Sequence, residues 1–217
     1  MSDAVAPRDP ADFPPGFAQA VGLTQVALAD LATFRGMLAA ANAETNLVGR
    51  STLGDFWSRH FIDSAQLRCF APRALVWADL GTGAGLPGIV LSILLKGVPG
   101  AKVHLVETRT KRCQFVADVV ASLDLPAKIH HARAEDVEVN VDIVTARACA
   151  PLDRLLLFAQ PYFQRGARAL FLKGAEVQKE ILQAKSVWRF EERLHNSLSD
   201  GRGYVLQIDS LTPKRSH

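Results

Sequence analysis

The spacing of hydrophobic residues changes several times along the chain, and each change marks an element. Between Thr24 and Ala43, Leu31, Phe34, Leu38 and Ala41 recur at the intervals that align side chains on one face of a helix. A second helix is predicted from near Thr52, with Asp55 completing a loose capping box; it carries Phe56, Phe61, Ser64 and Leu67 and pairs Arg59 with Asp63 one turn apart. From Val76 onward short apolar runs alternate with helical stretches. Val76–Leu80, Val103–Glu107, Lys128–His130, Val141–Thr145 and Ala169–Leu172 read as strands. Ile89–Leu95, a segment from Arg109 through Phe115, Val116, Val119 and Leu123, the run Leu152–Ala159, and a stretch after Gly174 read as helices. Strands and helices in alternation predict an α/β fold with a mostly parallel central sheet. Val187–Leu194 and Tyr204–Ile208, joined through Ser199-Asp200-Gly201, add an antiparallel hairpin at its edge.

The Pro-rich start is expected to be a loose tail over residues 1–20, lacking the charged-then-apolar order of a signal peptide. Residues 21–217 then form one domain, a helical cap over 21–72 and a sheet-bearing core over 73–217. With 48% hydrophobic residues a full core can be buried, and no apolar run reaches membrane-spanning length. Cys69, Cys113 and Cys149 are an odd, scattered set without CxxC spacing, which points to a reducing cytoplasm and no metal site. A net charge of only +3 excludes a general polyanion binder, and nothing demands more than a monomer.

The chemistry concentrates where the first strand breaks, at Asp79-Leu80-Gly81-Thr82-Gly83-Ala84-Gly85-Leu86-Pro87-Gly88. A strand, a glycine turn and a helix place a nucleotide-like ligand at the carboxyl edge of a parallel sheet, with backbone N–H groups and the helix N-terminus facing its anionic end. A dinucleotide fingerprint needs glycine where this chain has Leu86. The pattern instead looks like the first motif of the Rossmann-like S-adenosylmethionine-dependent methyltransferases, in which an acid precedes alternating glycines. Glu107, ending the next strand about twenty residues on, is placed to accept ribose hydroxyls. Ala134 and Glu135, after the third strand, are placed to bracket the adenine. Cys149, with no acid or His beside it, reads as a small buried residue rather than a nucleophile.

Across nearly its whole length the chain resembles the bacterial 16S ribosomal RNA guanine-N7 methyltransferases, the glucose-inhibited division protein B family. The resemblance rests on Asn46-Leu47, Arg59-His60-Phe61-Ile62-Asp63-Ser64, the glycine turn with its Gly85-Leu86-Pro87-Gly88 ending, Arg133-Ala134-Glu135, Ala146-Arg147-Ala148 and Leu172-Lys173-Gly174. It implies a Rossmann-like class I methyltransferase that uses S-adenosylmethionine to methylate N7 of one guanine, position 527, in the 16S RNA of the small ribosomal subunit. It places Gly81, Leu86, Ala134, Glu135 and Arg147 at the cofactor, and Asp79, Gly83, Gly85 and Glu107 join them from the reading above. Arg59, Arg109, Lys111, Arg112, Arg147 and Lys173 form an expected basic rim for RNA. No residue is assigned as general base; Arg147, Lys173 and His60 are candidates for positioning the target, and His60 is equally a packed core histidine. A small-molecule or protein methyltransferase, or a non-catalytic nucleotide-binding protein, would share the cofactor half without needing the basic rim.

Overall fold

The computed structural model describes residues 9–45, 47–49, 53–199 and 203–214. Helices α1 (Phe17–Val21) and α2 (Gln25–Thr45) open the chain, and a π-helical turn (Phe56–Ile62) runs into the short helices α3 (Asp63–Ala65) and α4 (Leu67–Phe70). There follow β1 (Val76–Leu80), α5 (Gly88–Leu94), β2 (Lys102–Glu107), α6 (Thr110–Leu123), β3 (Ala127–His131), β4 (Ile143–Arg147), α7 (Leu152–Gln164), β5 (Arg168–Lys173), α8 (Val177–Ala184), β6 (Trp188–Asn196) and β7 (Tyr204–Pro213). The strand order is β3-β2-β1-β4-β5-β7-β6; the first five strands are parallel and β7 is antiparallel to both β5 and β6. The order reverses between β1 and β4, the switch point that leaves a crevice at the carboxyl ends of those strands.

The central strands are apolar at almost every position because both faces are covered. Trp77, Val103, Leu105, Ile143, Leu170 and Leu172 pack against α2, α5, α6 and the cap. Ala78, Leu80, Val106, Val144, Ala146, Ala169 and Phe171 pack on the other side, with α7 and α8. The alternation within each strand is the period-two geometry of the pleat.

The N-terminal segment departs from expectation. From residue 9 the chain is folded rather than loose: Asp9 accepts from the Ala11 N–H at 2.8 Å and caps a short turn over Pro10–Asp12. Phe13 and Phe17 are buried and meet the Phe61 ring at 5.0 and 6.1 Å between centroids. Proline composition suggested disorder, but two aromatic anchors outweigh it. The predicted start at Thr52 and the Asn46 and Asp200-Gly201 positions lie outside the described residues. Asp55 stands at the head of the π turn without a side-chain capping bond. The wider π turn also changes which residues meet, and the Asp63 carboxylate is engaged by Gln66, Ser197, Ser199 and Arg147. Among the described residues no helix is long and apolar enough to cross a membrane.

Candidate functional site

Asp79 ends β1 fully buried, and one of its oxygens organises the glycine turn. Oδ2 accepts from the Thr82 hydroxyl at 2.6 Å and from the Gly88 N–H at 2.9 Å, so the two ends of the turn close on one carboxylate. Oδ1 is buried with no hydrogen-bond partner among the described residues. Burial pushes the carboxyl up to about 6, against the bonds from Thr82 and Gly88, which favour the ionised form. Asp79 therefore shapes the site from below. The first amides of α5 are also spent internally, Gly88 N–H on Asp79 and Ile89 N–H on the Gly85 carbonyl. The turn is bonded internally as well, with the Gly85 and Leu86 N–H groups on the Thr82 carbonyl at 2.8 and 3.1 Å, so the expected free donors at this helix end are absent among the described residues and the turn offers a ligand its shape.

Gly81 has φ +66°, and a Cβ there would lie 2.6 Å from Cys149 Sγ. Gly85 has φ +86°, and its Cβ would meet Ile89 Cγ1 at 2.4 Å. Both positions demand glycine for conformation and for space. The Leu86 side chain points into the core, so only its backbone is left for a ligand.

Glu107, at the end of β2, is set in place before any ligand arrives. Oε1 accepts from the N–H groups of Thr108 and Arg109 at 2.8 and 3.0 Å, and Oε2 from the Gly83 N–H at 3.1 Å. Arg112 Nη1 lies 3.6 Å from Oε2, which draws this arginine out of the expected RNA rim and onto the acid. A carboxylate fixed by three backbone donors beside a glycine cradle suits a ribose diol. Ala134 and Glu135 lie on a 3-10 turn after β3 (Ala134–Asp136), and the buried Tyr162 of α7 donates its hydroxyl to the Ala134 carbonyl at 2.9 Å. The glycine turn held by Asp79 and the preset Glu107 together fit an adenosyl amino acid.

On the substrate side, Arg147 at the end of β4 ties the sheet to the cap. It donates to the Arg59 carbonyl at 3.0 Å and to His60 Nδ1 at 3.1 Å, and Asp63 Oδ2 is 3.8 Å away. A guanidinium only donates, so His60 Nδ1 is an acceptor and its proton sits on Nε2. Burial, then the charges of Arg147 and Arg59, lower His60 to about 3. It is neutral and engaged. Asp63 Oδ1 accepts from Gln66 Nε2 and Ser197 Oγ, both at 3.0 Å, and from Ser199 Oγ at 3.3 Å, which pins the β6–β7 connection onto the cap. Gln66 also takes the Leu198 N–H.

The loop leaving β4 is held from several sides. Ala148 has φ +51°, a left-handed conformation costly for a residue with a Cβ. Cys149 packs on Gly81, and burial with the nearby Asp79 and Glu107 charges pushes its thiol up, so it stays protonated. Lys173 donates to the Ala150 carbonyl at 3.2 Å and pairs with Glu180, which also accepts from the Leu152 N–H at 2.7 Å. With its side chain only 9% exposed, Lys173 braces this loop from inside instead of standing on the rim. Arg59, Arg109 and Lys111 remain exposed around the mouth. Sequence reasoning missed Gln66, Ser197, Ser199, Tyr162 and Glu180, whose partners are remote in the chain and leave no local pattern.

The family model described as rRNA small subunit methyltransferase G matches residues 27–204. The chain belongs to this family. A relative of that name from Caulobacter vibrioides is 54% identical over 92% of this chain and 93% of its own length. One from Bradyrhizobium is 44% identical over 78% of each. Among solved structures, an S-adenosylmethionine-dependent methyltransferase from Aquifex aeolicus superposes with a TM-score of 0.57 at 15% identity, covering 78% of this chain and 98% of its own. A Klebsiella pneumoniae structure described as an O-methyltransferase superposes at 0.56 and 9% identity, covering 83% and 90%. These structural likenesses establish the Rossmann-like methyltransferase fold. The rRNA small subunit methyltransferase G family transfers a methyl group from S-adenosylmethionine to a guanine N7 of 16S ribosomal RNA.

Proposed function

We propose that this protein methylates N7 of one guanine, position 527, in the 16S RNA of the small ribosomal subunit, acting as a cytoplasmic monomer without a metal. Family membership supports the reaction, and the engagement of His60 by Arg147 carries the choice of atom. S-adenosylmethionine supplies an electrophilic methyl group. Methylating an exocyclic amine or a hydroxyl removes a proton from the acceptor, and cytosine C5 chemistry requires a nucleophile. Here the histidine at the mouth already spends its lone pair on Arg147, and Cys149 is held as a thiol. Guanine N7 carries an in-plane lone pair and loses no proton on attack. What it requires is alignment, and positioning of that kind is worth up to roughly 7–11 kcal/mol.

In this reading the backbone of the turn from Gly81 through Gly83 and Gly85 to Leu86 lies against the amino-acid end, Asp79 fixes that turn, Glu107 takes the ribose, and Ala134 and Glu135 bracket the adenine. Arg147, His60 and Lys173 position the wall against which the guanine lies, with Arg112 steadying Glu107. Arg59, Arg109 and Lys111 meet RNA phosphates. The test is labelled-methyl transfer to small subunits from cells lacking the protein, with N7-methylguanine mapped by strand cleavage. Methylation confined to position 527 is expected; label at another base, or none, refutes it.

A further inference from the structure

The catalytic mouth is poor in available cations. Of the six basic residues expected there, Arg112, Arg147 and Lys173 are bound to Glu107, Asp63 and Glu180, which leaves Arg59, Arg109 and Lys111 for phosphates. A folded RNA held by so few contacts would be held weakly, since phosphate neutralisation dominates affinity. The unspent positive charge lies elsewhere.

At the opposite edge of the sheet, where β1, β4 and β5 begin, a cavity of about 860 Å³ is lined by Arg73, Arg165 and Arg168 together with Phe70, Val141 and Asp142. Three arginines and a single acid line it, and that acid is engaged by the backbone: Asp142 Oδ2 accepts from the N–H groups of Leu75 and Val76 at 2.8 and 2.9 Å. The arginines themselves are loosely held. Arg165 donates through one nitrogen to the Pro161 carbonyl at 3.0 Å and reaches Glu138 only at 3.8 Å, and that glutamate is 84% exposed. Arg168 reaches Asp209 at 3.8 Å, but Asp209 is shared with Arg193. Arg73 is exposed and has no acidic partner within ion-pair distance among the described residues. Arg68 donates to the Ala74 carbonyl, which lines the same cavity, and keeps a buried Nε without a partner.

The three cations that line the cavity are all arginines. The guanidinium fork grips phosphate oxygens bidentately and tolerates partial desolvation better than an ammonium does. The cavity exceeds the size of one phosphate group several-fold, and Phe70 and Val141 offer apolar surface to a sugar or base. The five residues of β1 separate it from the glycine turn by roughly 15 Å at the usual rise per residue. That path runs through the buried sheet, so an RNA that reaches both places must pass around the protein surface.

We propose that this arginine groove is a second RNA-docking site, which grips the phosphodiester backbone of the substrate at a segment remote from the target guanine. The inference rests on RNA being the substrate, and its test reads binding separately from methylation. The Arg73→Gln/Arg168→Gln variant and the charge reversal Arg73→Glu are compared with the unaltered protein for affinity to unmethylated small subunits over a range of salt. Cofactor affinity, thermal midpoint and single-turnover rate at saturating subunits are measured in parallel.

The double variant should bind subunits about tenfold more weakly, with a salt slope smaller by about one to two. The reversal should weaken binding further, while cofactor affinity, midpoint and saturated rate stay at the unaltered values. Unchanged affinity and slope would overturn the proposal. So would loss of RNA affinity accompanied by equal loss of cofactor affinity and midpoint, which would mark a structural role. Release of RNA-bound protein by millimolar inorganic phosphate or mononucleotide, equal in the variants and the unaltered protein, would show that the RNA is held elsewhere than in the groove and refute RNA docking there. If the unaltered protein binds subunits but methylates no guanine, the reading of its activity fails while the binding results still decide the groove.

Discussion

The same substitution, glycine to alanine, should have opposite effects at two helical positions, and the neighbours decide the sign. Gly36 lies within α2, and a Cβ added there has nothing within 4 Å. Alanine should then supply only its helical preference, about 0.5–1 kcal/mol, which raises the melting temperature of a chain this long by roughly 1–4 °C. Gly88 opens α5. A Cβ there would lie 2.2 Å from Leu105 Cδ2, 2.7 Å from Asp79 Oδ2 and 3.1 Å from Asp79 Cβ. Leu105 and Asp79 are both fully buried in the central sheet, so neither can swing away.

Overpacking of this kind costs about 1–3 kcal/mol. Displacing Asp79 also strains its bond from Gly88, and a bond to a charged group is worth about 1.5–3 kcal/mol. After the small helical gain, Gly88→Ala should destabilise by about 2–5 kcal/mol, observed as a melting temperature lower by roughly 5–15 °C. Because the same Asp79 oxygen holds Thr82, the glycine turn should loosen and the demethylated cofactor should bind at least tenfold more weakly. Urea unfolding and calorimetric titration measure both effects, with Gly36→Ala as the internal control. A Gly88→Ala protein as stable as the unaltered one would refute the packing argument.

Tyr162→Phe leaves the Ala134 carbonyl without its donor, and the loss of about 1 kcal/mol should raise the KM for the methyl donor about fivefold while leaving the KM for subunits unchanged; equal shifts in both would show that the bond does not serve the adenine turn. Acid should destabilise the protein. Folding lowers His60 to about 3 and His104 to about 4, so the unfolded chain takes up protons first and stability present above the unfolded value near 6.5 is lost as pH falls. Asp79, raised to about 6, opposes this by gaining stability as it protonates. Each group contributes about 1.4 kcal/mol per pH unit within its window, and the histidines outweigh Asp79 by about 2 kcal/mol at pH 5.5; a urea midpoint that rises on acidification would reverse the argument. The single-turnover methylation rate at saturating RNA should stay level from mildly acidic to mildly basic pH, and a steep acid fall abolished by removing one side chain would reveal a base.

What was legible in the chain and what was not divides along sequence distance. The cofactor half is one β-α-β unit: Asp79, the glycines and Glu107 lie within a short stretch, and their roles follow from the strand–turn–helix geometry that local periodicity already marks. The buried strands were legible because both of their faces are covered and nearly every position is apolar. The cap was less so. Its π turn puts Phe56, His60 and Phe61 on one buried face, a spacing that a regular helix does not share, and the packing of Phe13 and Phe17 overrides a proline-rich composition that by itself suggests disorder. The substrate half is assembled from the cap, the end of β4, the start of α8 and the β6–β7 connection. Sequence shows that Arg112, Arg147 and Lys173 carry charge but not which way the charge points, and each turns toward an acid that only tertiary packing brings near. Positive charge near a mouth is therefore a weak sign of RNA contact until the local acids are counted. Counted that way, Arg59, Arg109 and Lys111 are what remains at the mouth, and a second group of arginines, Arg73, Arg165 and Arg168, lines a cavity at the far edge of the sheet, where no motif directs attention.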